Sequence, residues 1–514
     1  MTGEAQDQEQ AMAGEIQEVP SIAELAETTL ADARNAFCHH TTRPFQWRLA
    51  QVQALKNMLD EHEADLHTAL FDDLGKSPFE ANYTEIDPLR NSCDFFLKNL
   101  EKLMKPTSAE VPWFMKSSGT RAMIVPEPLG VVLVFSAWNF PLLLALDPLI
   151  AAVAAGNAVI LKPAESAKST CAILKQLIPQ YLDLKAVKVF EATKLQCATL
   201  LQLKFDKIFY TGNPRIGRII MEAAAKHLTP VTLELGGKCP VIVDSTADIF
   251  VVAHRLAAAK WTINSGQTCI APDYVLVDSS VVSSFLIALK TALRSFITPL
   301  PQGATREEPD PKEQNFPHMI NMEAFIRLQS LLEEVKENIN FTLGQHDQEK
   351  LAIMPTIVVN PPQDSKLMQE EIFGPILPVL EVESMEAAIN LVNSKPQPLA
   401  LYLFTSNEKL AKQVAERTSS GSVVVNDVGV QFNVESLPFG GVGESGIGSY
   451  HGKFGFDTFS HKKPLLVTQT GCDDRIRYPP YTKKSKAVLR ALLRKRSILD
   501  VLLIKLGLKK PYID

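Results

Sequence analysis

Apolar residues recur at helical spacing from Ser21 onward, through Thr42–Leu74 and through Asn82–Met104. Repeats of this period predict amphipathic helices, and Pro106 closes the last of them. Val111–Lys116 and Thr120–Val125, around a Ser-Ser-Gly turn, predict a β-hairpin apart from those helices. From Leu129 the pattern changes. Unbroken apolar runs at 129–135, 157–162, 186–190 and 206–211 predict strands, separated by helical patterns at 142–155, 166–180 and 214–227. Strands without polar alternation, alternating with helices, imply a parallel sheet covered on both faces. A second α/β series runs from Val231 to Asp427, with strands expected at 240–244, 274–278, 376–382, 399–405 and 422–426. Residues 301–318, rich in Pro, Glu and Gln, read as a surface loop. At 514 residues the chain exceeds one hydrophobic core, so two or three domains are expected.

Composition changes this picture at the two ends. The body is ordinary, 46% hydrophobic and 21% charged, and a net charge of −6 gives no whole-chain case for nucleic acid. Residues 1–32 hold eight acidic side chains and no Lys or Arg, so the first 20 are expected to be disordered. This start has neither a secretory signal nor an Arg-rich presequence, which points to the cytoplasm. The seven cysteines (Cys38, Cys93, Cys171, Cys197, Cys239, Cys269, Cys472) form no C-x-x-C pair, which fits a reducing compartment. From Tyr478 to Asp514, ten Lys and Arg stand against two Asp, interleaved with Leu, Ile and Val. The apolar runs are too short to span a bilayer, which needs about 20 residues. A basic amphipathic helix can instead lie on a membrane surface, or pack on the body or a partner subunit.

The candidate chemistry centres on Gly266-Gln-Thr-Cys269, a loop between the helical stretch 248–261 and the strand 274–278. A lone cysteine is most simply an inert core thiol. Its company argues otherwise, because covalent oxidation of an aldehyde needs a thiolate, an oxyanion donor, a hydride acceptor and a base. Cys269 is the nucleophile candidate. Asn139, in Ala137-Trp-Asn-Phe-Pro141, can donate to an oxyanion together with the backbone N–H of Cys269. Glu234, ending an apolar strand before Gly236-Gly237, is placed to have its pKa raised and to act as base. For a dinucleotide, Gly212-Asn-Pro-Arg-Ile-Gly217 runs from a strand into a helix whose N-terminus can meet a pyrophosphate. Its G-x-x-x-x-G spacing is a weak fingerprint and lacks the ending of a nucleotide-hydrolysing loop. Lys162 and Glu165 follow a strand and can contact a ribose. The histidines show no metal-ligand spacing, and there is no G-x-S-x-G elbow.

Six segments in this order, Ala137–Pro141, Leu161–Glu165, Glu234–Lys238, Gly266–Cys269, Glu370–Pro375 and Leu437–Gly441, resemble the aldehyde dehydrogenase superfamily over roughly residues 21–465. Gly448–His461 resembles its class 3, fatty aldehyde branch. The resemblance implies Cys269 as catalytic thiol, Glu234 as base and Asn139 as oxyanion donor. It implies Lys162 and Glu165 at the adenosine ribose, and Gly212, Asn213 and Gly217 in the cofactor turn. Glu371 then holds the nicotinamide ribose, with Phe373 near it. The implied architecture is α/β: a Rossmann-like NAD or NADP domain (21–107 and 128–234), a catalytic domain (235–427) and a bridging β extension (108–127 and 428–465). The acidic start (1–20) and basic tail (466–514) lie outside it. A homodimer is implied, with peripheral contact to the cytosolic face of an intracellular membrane. The sequence departs from the class at Arg215 in the cofactor turn and at Gln431, expected near the substrate funnel where many members carry His. Two alternatives stay open: a CoA-acylating enzyme, for which a water base is unnecessary, and an inactive membrane-attached scaffold.

Overall fold

A computed structural model describes residues 21–193, 196–297, 316–472 and 475–509. The expected disordered start and most of the loop expected at 301–318 lie outside these residues. The chain divides into two compact units, Met1–Leu100 with Pro128–Phe459, and Glu101–Glu127 with Ser460–Asp514.

The larger unit is built on two sheets. In the first, Val131–Phe135, Ala158–Lys162, Val187–Val189, Lys207–Thr211 and Val231–Glu234 run parallel, and Gly446–Ile447 adds an antiparallel edge. In the central strands 131–135, 158–162 and 207–211 every residue is buried, as unbroken apolar runs require. The helix Leu143–Ala155 is buried all round, so it is an internal element rather than an amphipathic cover. The second sheet orders seven strands: Ile339–Thr342, Thr356–Val359, Ile376–Val382, Tyr274–Asp278, Pro240–Val243, Ala400–Phe404 and Ser422–Val425. All pairs are parallel except the antiparallel edge pair 339–342 with 356–359. The N-terminal pattern becomes the helices Ile22–Cys38, Phe45–Glu61, Glu63–Leu74 and Asp87–Met104, the last preceded by a π-helical turn at Asn82–Ile86.

The smaller unit corrects the hairpin expectation. Trp113–Lys116 is a short helix, and the strand Arg121–Pro128 pairs antiparallel with Thr107–Ala109 on one side and neighbours Ser460–Val467 on the other. A chain entering through Pro112 satisfies its backbone locally, with Lys116 N–H donating to Pro112 O at 2.9 Å. The basic tail forms two short helices, Lys483–Leu493 and Ile498–Leu506. They close on each other through Val488, Ala491, Val501 and Ile504, against Trp113. Leu493, Leu499, Leu502, Leu506 and Leu508 remain exposed. Among the described residues no helix is long and apolar enough to cross a membrane.

Candidate active site

The carboxyl ends of four neighbouring parallel strands bring the distant segments together. Thr211 lies beside Glu234, Phe135 beside Tyr210, and Phe135 beside Lys162. Glu234, the Gly212 turn, the segment leading to Asn139, and Lys162 therefore leave the sheet side by side. Three strand spacings, about 14 Å, separate the first from the last. Ligands of open α/β sheets bind along this edge.

Cys269 and Glu234 line one cavity. Its remaining wall is mostly apolar, from Tyr83, Phe140, Leu143, Val428, Phe432 and Phe439 among others. The cavity has a volume of about 110 Å³, room for several waters or for the reacting end of an acyl chain. Glu234 is 3% exposed, and both its carboxylate oxygens are buried without a hydrogen-bond partner. Burial pushes its pKa well above the usual carboxylate range. Burial also pushes the Cys269 thiol up to about 12, helped by the nearby Glu371 and Glu234 carboxyls and opposed by the backbone N–H groups of Cys269 and Ile270.

The loop carrying Cys269 is held from all sides. Asn264, Ser265 and Gly266 all take positive φ, at 48°, 47° and 75°. A Cβ on Gly266 would meet Gly374 O at 2.6 Å and Lys260 O at 2.9 Å, so this position accepts only glycine. Gln267, fully buried, donates to His318 O at 3.0 Å and accepts from Ile320 N–H at 3.2 Å. Cys239 Sγ donates to Cys269 O at 3.4 Å, and Tyr402 Oη to Ile270 O at 2.6 Å. Asn139 is brought to the same loop: its amide donates to Gln267 O at 3.0 Å, leaving one amide proton for a ligand oxygen.

The candidate cofactor residues divide between two places. Lys162, 4% exposed, is ion-paired with Glu165 at the end of its strand. Asn213 caps the helix Pro214–Ala225, accepting from Ile216 N–H at 3.0 Å. Gly212 donates its N–H to Glu234 O at 3.0 Å, and Gly217 packs on Leu235. Glu371 and Phe373 lie on the loop before the strand Ile376–Val382. A Cβ on Gly236 would sit 2.3 Å from Glu371 Oε2, so the glycine makes room for that carboxyl. Burial, then the Asp273 charge, raise Glu371 from 4.5 to about 8. Phe373 has φ 51° and sets its ring edge-on to Trp138 at 5.4 Å. These groups fit a dinucleotide: a helix N-terminus for its phosphates, and a carboxyl at each end for its ribose hydroxyls.

Gln431 stands beside the cavity rather than in its wall: its amide donates to Tyr402 Oη at 3.3 Å and to Ser422 Oγ at 3.4 Å, while Gly429, Phe432 and Asn433 on either side of it line the cavity. Several residues of the site escaped sequence reading. Lys238 pairs with Asp273 and donates to Leu367 O and Glu370 O, tying the Glu371 segment to the Gly-Gly turn. Asp273 accepts from Ile372 N–H at 2.9 Å. Lysine next to the Gly-Gly pair was the available signal, but its partners lie far along the chain.

The sequence profile of the aldehyde dehydrogenase family matches residues 8–465. Aldehyde dehydrogenase family 3 member H1 of Arabidopsis thaliana is 44% identical over 485 residues, 94% of this chain and 98% of that protein. Family 3 member A2 of Mus musculus is 43% identical over 465 residues, 90% of this chain and 93% of that protein. Among solved structures, the substrate-bound state of Staphylococcus aureus AldH superposes with a TM-score of 0.85 at 37% identity, covering 90% of this chain and 98% of that one. The indole-3-acetaldehyde dehydrogenase AldA of P. syringae, solved with NAD+ and IAA, gives 0.77 at 26%, covering 87% and 89%. The chain belongs to the aldehyde dehydrogenase family, within family 3.

Proposed function

We propose that this aldehyde dehydrogenase oxidises an apolar aldehyde, of medium or long aliphatic chain or apocarotenoid-like, to its acid through a covalent bond to Cys269, using NAD or NADP. The observation that carries this is the pairing of a thiol with an unpartnered buried carboxyl in one apolar cavity. Sγ of Cys269, its thiol proton released to water, attacks the carbonyl carbon, and the carbonyl electrons move to oxygen, where the Asn139 amide and the Cys269 backbone N–H donate. A bound nicotinamide supplies the hydride acceptor. Glu234, raised by burial, takes the proton of the water that cleaves the thioester, and the thiolate leaves. Lys162, Glu165, Gly212, Asn213, Gly217, Glu371 and Phe373 hold the dinucleotide. AldA of P. syringae, solved in complex with NAD+, supports such a cofactor.

Cys269→Ala is expected to abolish NADH or NADPH formation with any aldehyde, and retained turnover would remove the reading. In a panel of straight-chain aldehydes with both cofactors, kcat/KM is expected to rise about 4-fold per methylene, the ~0.8 kcal/mol of one buried CH2, until the cavity fills. A flat or falling series would overturn the apolar substrate. The tail helices, basic with exposed leucines, support peripheral contact with anionic membranes, and the class supports a homodimer. Flotation with phosphatidylserine vesicles, with and without residues 478–514, tests the first; equal flotation overturns it. Sedimentation equilibrium tests the second, and a monomer mass overturns it.

A further inference from the structure

The turn that presents Asn139 is anchored by a buried segment some sixty residues upstream. Lys76 and Glu85 have wholly buried side chains and pair at 2.6 Å. Taking two charges out of water costs several kcal/mol per ion, and apolar replacements of such pairs are often neutral or stabilising. Their other bonds give the pair a different role. Lys76 Nζ donates to the backbone O of Asn139 at 3.1 Å and lies 4.0 Å over the Phe140 ring. The second oxygen of Glu85 accepts the N–H groups of Leu142 at 2.8 Å and Leu143 at 3.1 Å, where the cavity-lining helix starts. Glu85 sits on the π-helical turn Asn82–Ile86, a local device common at functional sites.

The same segment reaches the thiol loop. Glu80 accepts the N–H of Asn264 at 2.6 Å. The Asn264 amide in turn donates to Asn139 O at 2.7 Å and to Gln267 O at 3.1 Å, two residues before the cysteine. Residues 76–85 thus bind both the turn carrying the amide and the loop carrying the sulfur.

We propose that Lys76 and Glu85 are a positioning pair for the reaction, fixing the Asn139 turn against the Cys269 loop so that the amide meets the developing oxyanion. This rests on the reading of Asn139 as oxyanion donor. The test compares Lys76→Met/Glu85→Leu, Asn139→Ala and their combination in the full chain, measuring kcat, both KM values and Tm. Asn139→Ala is expected to lose about 10²-fold in kcat, the usual cost of one oxyanion donor. The pair variant is expected to keep its KM for dinucleotide and lose ~10-fold or more in kcat, since small misplacements of reacting groups are costly. In the Asn139→Ala background the pair variant is expected to cost less than about 3-fold, because no amide is left to position. Wild-type kcat in the pair variant, or the same loss in both backgrounds, overturns the positioning role. Wild-type kcat in Asn139→Ala overturns the oxyanion reading itself, and the proposal with it. If the pair variant does not fold, Glu85→Gln, which keeps an acceptor for Leu142 and Leu143, carries the test. A kcat loss that vanishes without Asn139 supports the proposal; one that persists overturns it.

Discussion

Glu234 has no hydrogen-bond partner for either oxygen, and that sets its chemistry. A buried carboxyl resists ionisation, so the base form appears only above a raised pKa. Two outcomes follow. Glu234→Gln is expected to acylate and then stall, giving a burst of about one NADH per site and a steady kcat lowered by ~10²–10⁴-fold, the range of a lost general base. A variant without a burst would place Glu234 before acylation. In the wild type, kcat is expected to fall on the acid side at a pH above the ordinary glutamate value, because the protonated carboxyl cannot accept from water. A limb near 4.5 would contradict the burial. At this scale the sequence was readable where the chemistry names the residue: a thiol, a carboxyl and an amide flanked by Gly and Pro. Lys76 and Glu80, between two helical patterns, and Glu85, at the start of the second, were not, because such charges look solvated until the backbone groups they bind, 57 or more residues away, are known.

Elements were legible where periodicity decides them and obscure where the backbone departs from it. Strands 274–278 and 376–382 lie where their apolar runs predict. Thr356–Val359, four residues between prolines, passes for a connection, yet joins the parallel sheet. The π turns at Asn82–Ile86 and Ala258–Thr262 leave no mark in a 3.6-residue pattern, and each adjoins the site. The second leads into the left-handed run Asn264–Gly266. Gly266→Ala there would combine a positive φ with contacts to two carbonyl oxygens inside 3.0 Å. The expected cost is roughly 2–4 kcal/mol of stability, with activity lost along with it, since the displaced loop carries the thiol. Thermal unfolding with a parallel assay checks this; a variant with wild-type Tm would mean that the loop relaxes freely.

At the scale of the molecule, alternating strands and helices foretold two parallel sheets. They did not foretell that the site would bury so many ionisable groups, because burial depends on which segments meet. That burial couples stability to pH. Glu371 titrates at 4.5 when exposed and at about 8 in the fold. Between those values the folded chain holds one proton more than the unfolded one, so stability is full below 4.5 and falls as pH rises toward 8. The slope is about 1.4 kcal/mol per pH unit for one proton, with a ceiling near 5 kcal/mol over the whole interval. Glu371→Gln removes this proton and keeps the shape of the side chain against Gly236. Its stability relative to wild type is therefore expected to grow steadily from pH 5 to pH 8 and then level off. Lys260, fully buried and lowered to about 8, acts in the opposite sense above that pH, because the unfolded lysine then holds the extra proton. Wild-type stability lost below pH 8 is thus expected to return in part above it, and Lys260→Met is expected to abolish the recovery but not the loss. Urea midpoints at pH 5, 6.5, 8 and 9.5 for the three proteins separate the contributions. A Glu371→Gln difference that is the same at pH 5 and pH 8 would mean that the carboxyl is solvated and already ionised, and is not held protonated beside the Gly236 turn.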